Sequence, residues 1–243
     1  MSREERRLSF GAHAEAYERA RPDWPDEAAR WFVPEGARLV VEAGAGTGKL
    51  TRALTRVAPR VLAVEPDPRM RELLQVGIEG TAEAIPLGDG EADAVVAGSA
   101  LHWFDLDRAL PEFRRVLRDG GRLAFGWNHR AARHPAVERM QERIGQVRVP
   151  TGSWQARDWA AEVTAGGLFG DVEHAEFPFI LDLPRSALDD HLLSYSGLAL
   201  LPEDVRRRVF AEIGQVLDSD AEVRRGDRLA LPFVVDAYRA RAL

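Results

Sequence analysis

VVEAGAGTG, Val40 to Gly48, is the stretch on which the fold turns. An apolar run that reads as a buried strand ends there in a glycine-rich turn. A helix follows at once, with Leu50, Ala53, Leu54 and Val57 on one stripe. Strand, bare turn and helix start together build a nucleotide site: glycine lets the main chain approach a ligand and take positive φ, and the helix start offers N–H groups with no helical partner. Spacing then narrows the choice of nucleotide. G-x-G-x-x-G fits Gly44 and Gly46, but its third glycine falls on Lys49. The phosphate-loop pattern G-x-x-x-x-G-K-[ST] would need glycine at Ala43 and a hydroxyl at Leu50, so it fails at both ends. What stands is G-x-G-x-G at Gly44, Gly46 and Gly48, with Glu42 before it and a second carboxylate, Glu65, closing the next apolar run, VLAVE.

That form resembles motif I of the class I S-adenosylmethionine-dependent methyltransferases. The resemblance implies an α/β fold: a doubly wound, seven-stranded, mostly parallel Rossmann-like sheet with helices on both faces and a late helical cap. It also implies S-adenosylmethionine as cofactor and S-adenosylhomocysteine as product. A carboxylate about twenty residues past the glycines, at the tip of the second strand, is the usual clamp for ribose hydroxyls. Glu65 has that place, with Pro66 beside it, whereas Asp67 before Pro68 reads as the cap of the next helix. The glycine turn, Ala45 included, would cradle the amino-acid tail, and the resemblance puts Glu42 near the methionyl amino group. Lys49, the single lysine, is expected to sit exposed with no catalytic role.

The resemblance continues along the chain. GTAEAIPLGDGEADAVVAG, Gly80 to Gly98, has the form of the segment that holds the adenine. Thr81 stands where the family often has aspartate, which leaves the Ala82 main chain and Glu83 as the expected contacts. SALHWFD, Ser99 to Asp105, follows the apolar run AVVAG and precedes a helix with Leu106, Ala109, Leu110, Phe113, Val116 and Leu117 on one stripe. That junction faces the reacting centre in doubly wound sheets. Ser99 and Leu101 are therefore expected at the cofactor and Trp103 at the acceptor. His102 is the candidate general base, although a histidine there could equally hydrogen-bond substrate or cofactor. Arg118-Asp119-Gly120-Gly121 is expected to end the helix with glycine caps and lead into the fifth strand, RLAFGW, which resembles motif III.

A narrower match comes from F-x-x-x-A-x-x-Y-x-x-x-R-P-x-x-P at Phe10, Ala14, Tyr17, Arg21, Pro22 and Pro25, with LHWFD and WNHR, Trp127 to Arg130. It resembles the small-molecule branch that includes trans-aconitate and ubiquinone/menaquinone-type methyltransferases, over roughly the first 130 residues. The branch implies that Tyr17 packs on the cofactor and that Arg21 pairs with its carboxylate; both could equally fix the leading helix to the sheet. His129 and Arg130 follow the fifth strand and could bind an anionic acceptor. A carboxylate acceptor is ionised at neutral pH and would need no base.

Composition agrees with one α/β domain over 1–243, a cofactor-binding core to 130 and the remaining strands with a helical acceptor region after it. A net charge of −6 with no sustained basic run argues against nucleic acid as partner and for a small-molecule acceptor. Without cysteine there is no disulfide or thiolate chemistry, and no metal-ligand spacing is present. No apolar run is long enough to cross a membrane, so the chain reads as cytoplasmic; the sequence assigns no oligomeric state. After Arg130 only pattern remains: helices over 135–147 and 153–165, a strand over 171–180, a helical insertion, and a helix after Pro202 with Val205, Val209, Ile213, Val216 and Leu217 on one face. The run LPFVVDAYRA then closes the sheet. Two other functions share these features: a nicotinamide-dependent oxidoreductase, disfavoured by the missing third glycine, and a non-catalytic module that binds S-adenosylmethionine or S-adenosylhomocysteine.

Overall fold

The computed structural model describes residue 18 and residues 21–74, 76–131, 133–147 and 156–243. Eight strands form one sheet: β1 (Val40–Ala43), β2 (Val61–Val64), β3 (Gly77–Ile78), β4 (Ala92–Gly98), β5 (Leu117–Arg130), β6 (Glu173–Pro184), β7 (Arg224–Arg225) and β8 (Arg228–Arg241). Seven lie in the order β3-β2-β1-β4-β5-β8-β6, and the two-residue β7 pairs with β8 outside that path. The first five are mutually parallel, and β8 runs against both β5 and β6, so it alone opposes the other six of the path. The chain thus has the seven-stranded, mostly parallel sheet that its glycine turn implied.

Why the sheet centre is continuous apolar sequence follows from its two coverings. Every residue of β1 is buried, as are all but the last of β4, because helices lie on both faces. On one face Val41, Val95, Leu123 and Phe125 pack with Ala109, Leu110 and Phe113 of α4 (Leu106–Val116). On the other, Val40, Ala94, Val96 and Ala124 pack with Phe32 of α1 (Asp26–Phe32) and with Leu50, Ala53 and Leu54 of α2 (Lys49–Leu54). Of the stripes read from the sequence, Leu50, Ala53 and Leu54 and Ala109, Leu110, Phe113 and Val116 are buried, while Val57 and Leu106 are half-buried at their edges. Phe32, Phe113 and Phe125 are fully enclosed, and each such ring contributes about 1.5–3 kcal/mol of burial.

Asp67 caps α3 (Pro68–Arg71) as expected, accepting from the Arg69 N–H at 2.9 Å with Pro68 in the first turn. The glycine caps after α4 are a correction. The helix stops at Val116, and Leu117 is already extended and paired with Ala92. Arg118 to Gly121 form an excursion inside β5, across which the register with β4 shifts before Ala94 meets Arg122. Strand pairing competes from Leu117 onward, so the glycines serve an irregularity instead: Gly120 has φ +69°, and a Cβ there would lie 2.8 Å from the Arg241 guanidinium. Lys49 is a second correction. It is only 14% exposed and pairs with Asp23 at 3.3 Å and Glu18 at 3.7 Å.

Beyond β5 the helices are α5 (Pro135–Gly145), α6 (Trp159–Thr164), α7 (Leu188–Leu193), α8 (Ser196–Ala199) and α9 (Glu203–Asp218). Residues from α5, α7 and α9 form a third core with the outer halves of β6 and β8, among them Met140, Leu188, Leu192, Ile213 and Phe233. This is the late helical layer. Among the described residues no helix is long and apolar enough to cross a membrane.

Candidate active site

The glycine turn sits where β1 ends, and its backbone follows from three positive φ angles, +70° at Gly44, +58° at Gly46 and +90° at Gly48. Gly44 and Ala45 both donate to the Val64 carbonyl, at 2.9 and 3.0 Å, which draws the turn against the tip of β2. A Cβ on Gly44 would stand 3.0 Å from Ala100 Cβ and 3.1 Å from Phe104 Cζ, whereas one on Gly46 would meet nothing within 4 Å. The turn is therefore packed on its β4 side and open above Gly46.

Glu65 directly follows β2 and is 7% exposed. Its Oε2 accepts from Gly46 N and its Oε1 from Asp67 N, each at 2.8 Å, so two main-chain donors aim the carboxylate. Pro66 follows it, and Arg71 grips the Glu65 and Pro66 carbonyls at 2.7 and 3.2 Å. Glu42 is buried on β1, where Thr51 Oγ1 donates to its Oε2 at 2.5 Å. Burial, with the neighbouring Glu65 charge adding to it, pushes the Glu42 carboxyl up to about 8, so it is mostly neutral at pH 7. Thr47 Oγ1 and Asp67 Oδ2 are buried beside this turn without a partner. A sulfonium nucleoside needs acceptors for sugar hydroxyls, a carboxyl for an ammonium group and bare main chain, and the set formed by Glu65, Glu42 and the open side of Gly46 fits those needs.

The adenine segment lies next to it. Ala82 is 3% exposed, and Glu83 Oε1 accepts from Asp105 N at 3.0 Å, which ties the segment to the loop before α4. That loop begins at Ser99, which holds φ +52° without being glycine and donates to the Gly126 carbonyl at 2.7 Å. Leu101, fully buried, opens the single turn Leu101–Trp103 that carries His102 and Trp103.

His102 lies against β5. Trp127 Nε1 donates to its Nδ1 at 3.1 Å, and Trp103 packs on it with ring centroids 4.7 Å apart. An indole N–H only donates. Nδ1 must therefore be the lone-pair nitrogen, and the proton of the neutral ring sits on Nε2. Burial, and then the positive charges of Arg157 and Arg21, lower its pKa to about 4. The imidazole is a neutral donor at pH 7.

Arg130 ends β5, where His129 Nδ1 lies 3.2 Å from its carbonyl. Its guanidinium stands 4.5 Å from the centre of the Tyr195 ring, and Arg21 stands 4.1 Å from the same ring while donating to the Ser194 carbonyl at 3.0 Å. The structure thus brings predicted residues into two groups at the carboxyl edge of the sheet: Glu42, the glycine turn, Glu65 and Pro66 in one, and His102 and Trp103 with Arg21, which shares the Tyr195 ring with Arg130, in the other, while His129 alternates to the opposite face of β5 from Arg130. Tyr17 lies outside the described residues. Sequence reasoning missed Trp127, Thr51, Arg157 and Tyr195 as site residues. Trp127 was visible inside WNHR, but nothing local tells which histidine it touches.

The methyltransferase domain family matches residues 41–125. The chain is 40% identical to an uncharacterized methyltransferase from Mycobacterium tuberculosis over 245 residues, covering 98% of both chains. It is 30% identical over 241 residues to a methyltransferase-like protein from Schizosaccharomyces pombe, covering 95% of this chain and 94% of that one. Among solved structures, a methyltransferase from Anaeromyxobacter dehalogenans matches the fold with a TM-score of 0.62 at 23% identity, covering 91% of this chain and 97% of that one. None of these likenesses favours the nicotinamide or the non-catalytic alternative.

Proposed function

This chain belongs to the S-adenosylmethionine-dependent methyltransferases, and from that premise we propose that it methylates an oxygen of a small organic acid. The observation that carries the reading is the state of His102, whose only lone pair is taken by Trp127 and whose pKa lies near 4. Such a ring cannot act as a general base at neutral pH, so the acceptor must be nucleophilic already. A carboxylate is.

The cofactor, when bound, supplies a sulfonium-activated methyl carbon whose bond to sulfur breaks as the acceptor oxygen attacks in line. The chain's part is to bind and align. Glu65 accepts the ribose hydroxyls, Glu42 meets the methionyl amino group, Arg21 pairs with the methionyl carboxylate, and Ala82 with Glu83 borders the adenine. His102 donates from Nε2 to the acceptor and fixes its angle, with Trp103 as a wall and His129 beyond it. Alignment of this kind contributes on the order of 7–11 kcal/mol, more than the 10² to 10⁴-fold typical of one base.

The test is a panel of small organic acids, amines and phenols incubated with methyl-labelled cofactor. Label in base-labile methyl esters is the expected result; label confined to amine or phenol products would refute the carboxylate reading.

A further inference from the structure

Arg130 stands apart from the ion-paired arginines. Arg115 is held by Glu112 and Asp89, Arg185 by Asp218, Arg239 by Glu173 and Arg157 by Glu162. Arg130 makes no ion pair among the described residues, and its Nε and Nη1 are both buried without a hydrogen-bond partner. Two positions earlier, and so on the same face of the strand, Asn128 buries its Oδ1 without a partner as well. The aromatic platform beneath Arg130, Tyr195, also carries Arg21, so two guanidinium groups share one ring. Buried donors left unmade are costly, and an oxyanion at Arg130 removes that penalty.

We propose that Arg130, seated on Tyr195, is an anchoring subsite for an oxyanion of the acceptor separate from the atom that takes the methyl group. An oxygen clamped by a guanidinium has its charge neutralised and its lone pairs engaged, which makes it a handle and a poor nucleophile. Taken with the carboxylate reading above, on which this clause rests, the acceptor class is a small molecule with two oxyanions, one esterified and one held. Arg130 is thus a specificity-determining residue. The handle is a carboxylate or a phosphate-like group, and Asn128 adds a polar edge beside it.

The experiment uses the full chain loaded with S-adenosylhomocysteine. Linear monocarboxylates of four to six carbons, the dicarboxylates of equal length and the matching phosphonocarboxylates are titrated by calorimetry, and ester formation from the same compounds is followed in turnover. At one or more lengths a second oxyanion should tighten binding roughly 10- to 100-fold, the scale of charged hydrogen bonds, and should lower KM more than it raises kcat. The dicarboxylate and phosphonocarboxylate arms name the handle. Arg130→Met should erase the preference, so that di-anions bind no tighter than the monocarboxylates of equal length; Arg130→Lys, which keeps the charge and loses the fork, should retain part of it and serves as the second variant if the first melts early. Equal binding of mono- and di-anions at every length, or a preference that survives in Arg130→Met, overturns the anchor. Binding that depends on Arg130 while no acid is esterified leaves the anchor standing and removes the carboxylate reading; esterification indifferent to Arg130 does the reverse.

Discussion

Replacing Trp127 by phenylalanine deletes one N–H and keeps most of the ring, so it isolates what the indole does for His102. Trp127 is 2% exposed and packed against Phe125 and Trp159 at 5.8 and 4.9 Å. Its N–H fixes the proton of His102 on Nε2 through the 3.1 Å bond to Nδ1. Losing the bond leaves a half-buried imidazole nitrogen unsatisfied, a cost of about 1–3 kcal/mol, and frees the ring to place its proton on either nitrogen. The pKa carries its own signature. His102 titrates near 4 in the folded chain against an ordinary 6.5, so the unfolded chain binds more protons between those two values. Stability therefore falls as pH drops through that window and is flat, in this respect, below it. At about 1.4 kcal/mol per pH unit the loss is at most about 3 kcal/mol. Two-bond proton–nitrogen spectra, with His102→Gln to assign the resonance, read the tautomer directly. The wild type should show Nε2–H alone at pH 7, and Trp127→Phe a mixture. Methyl transfer to an acid by the wild type should be independent of pH from about 5.5 to 7, below the range in which Glu42 loses its proton. A protonated Nδ1 at neutral pH, a titration near 6.5 or a rate that rises through that value would refute the reasoning.

Three further perturbations address the cofactor end. Glu65→Ala removes the acceptor of two main-chain N–H groups, so it should lower the melting temperature as well as weaken S-adenosylhomocysteine by about 1–3 kcal/mol in calorimetry; unchanged affinity would take the ribose away from Glu65. Glu42 is raised from 4.5 to about 8 by burial, so its folded state holds the proton more tightly and stability falls as pH rises through that window. Glu42→Gln should abolish this slope, about 1.4 kcal/mol per pH unit, and a thermal scan between pH 5 and 8.5 that shows the same slope in both proteins would contradict it. Gly44→Ala and Gly46→Ala should separate folding from binding. Both incur the left-handed penalty of about 1–2 kcal/mol, but only the first adds contacts at 3.0 and 3.1 Å, so it should melt lower, while Gly46→Ala should chiefly reduce S-adenosylhomocysteine affinity. Equal melting losses with intact binding in Gly46→Ala would be the contrary result.

What could be read from the chain alone divides by distance along it. The glycine turn, Glu42 and Glu65 span fewer than thirty residues, and their placement follows from a local order of strand, turn and helix, so pattern exposes it. Asp67 is legible for the same reason, since a cap needs only its own helix. The misread glycines at 120 and 121 show where local reasoning stops: whether Leu117 ends a helix or begins a strand depends on Ala92, which pairs with it from another part of the chain. Lys49 likewise finds its acids at Glu18 and Asp23, some thirty residues away, and propensity carries no record of that. The second half of the site is assembled entirely by such distant meetings. Trp127 reaches back 25 positions to His102, and Arg21 reaches 173 positions to Ser194.

The arginines make the same point with chemical consequence. In a chain with 33 basic residues, of which only one is lysine, the count of arginines reflects composition and singles out none of them. Geometry separates them by one question, namely which guanidinium has its N–H groups answered. Exposed pairs such as Arg228 with Asp182 or Arg56 with Asp26 are screened surface contacts that contribute about 0–1 kcal/mol. Arg130, half-buried on Tyr195 with Nε and Nη1 enclosed and unbonded, is a different object, because the desolvation of those two groups has no hydrogen bond to offset it until something binds. Selection for stability alone would replace Arg130 with an apolar residue of similar reach, which packs on Tyr195 equally well and buries no charge. Its presence at the carboxyl end of β5, beside the ring that also carries Arg21, therefore argues for a ligand that the free protein is built to receive. The same logic makes Arg130→Met a two-sided measurement: if the residue serves a bound oxyanion, the variant should be as stable as the wild type or more so while losing that ligand, and a large loss of stability with no loss of discrimination would place Arg130 among the structural arginines after all.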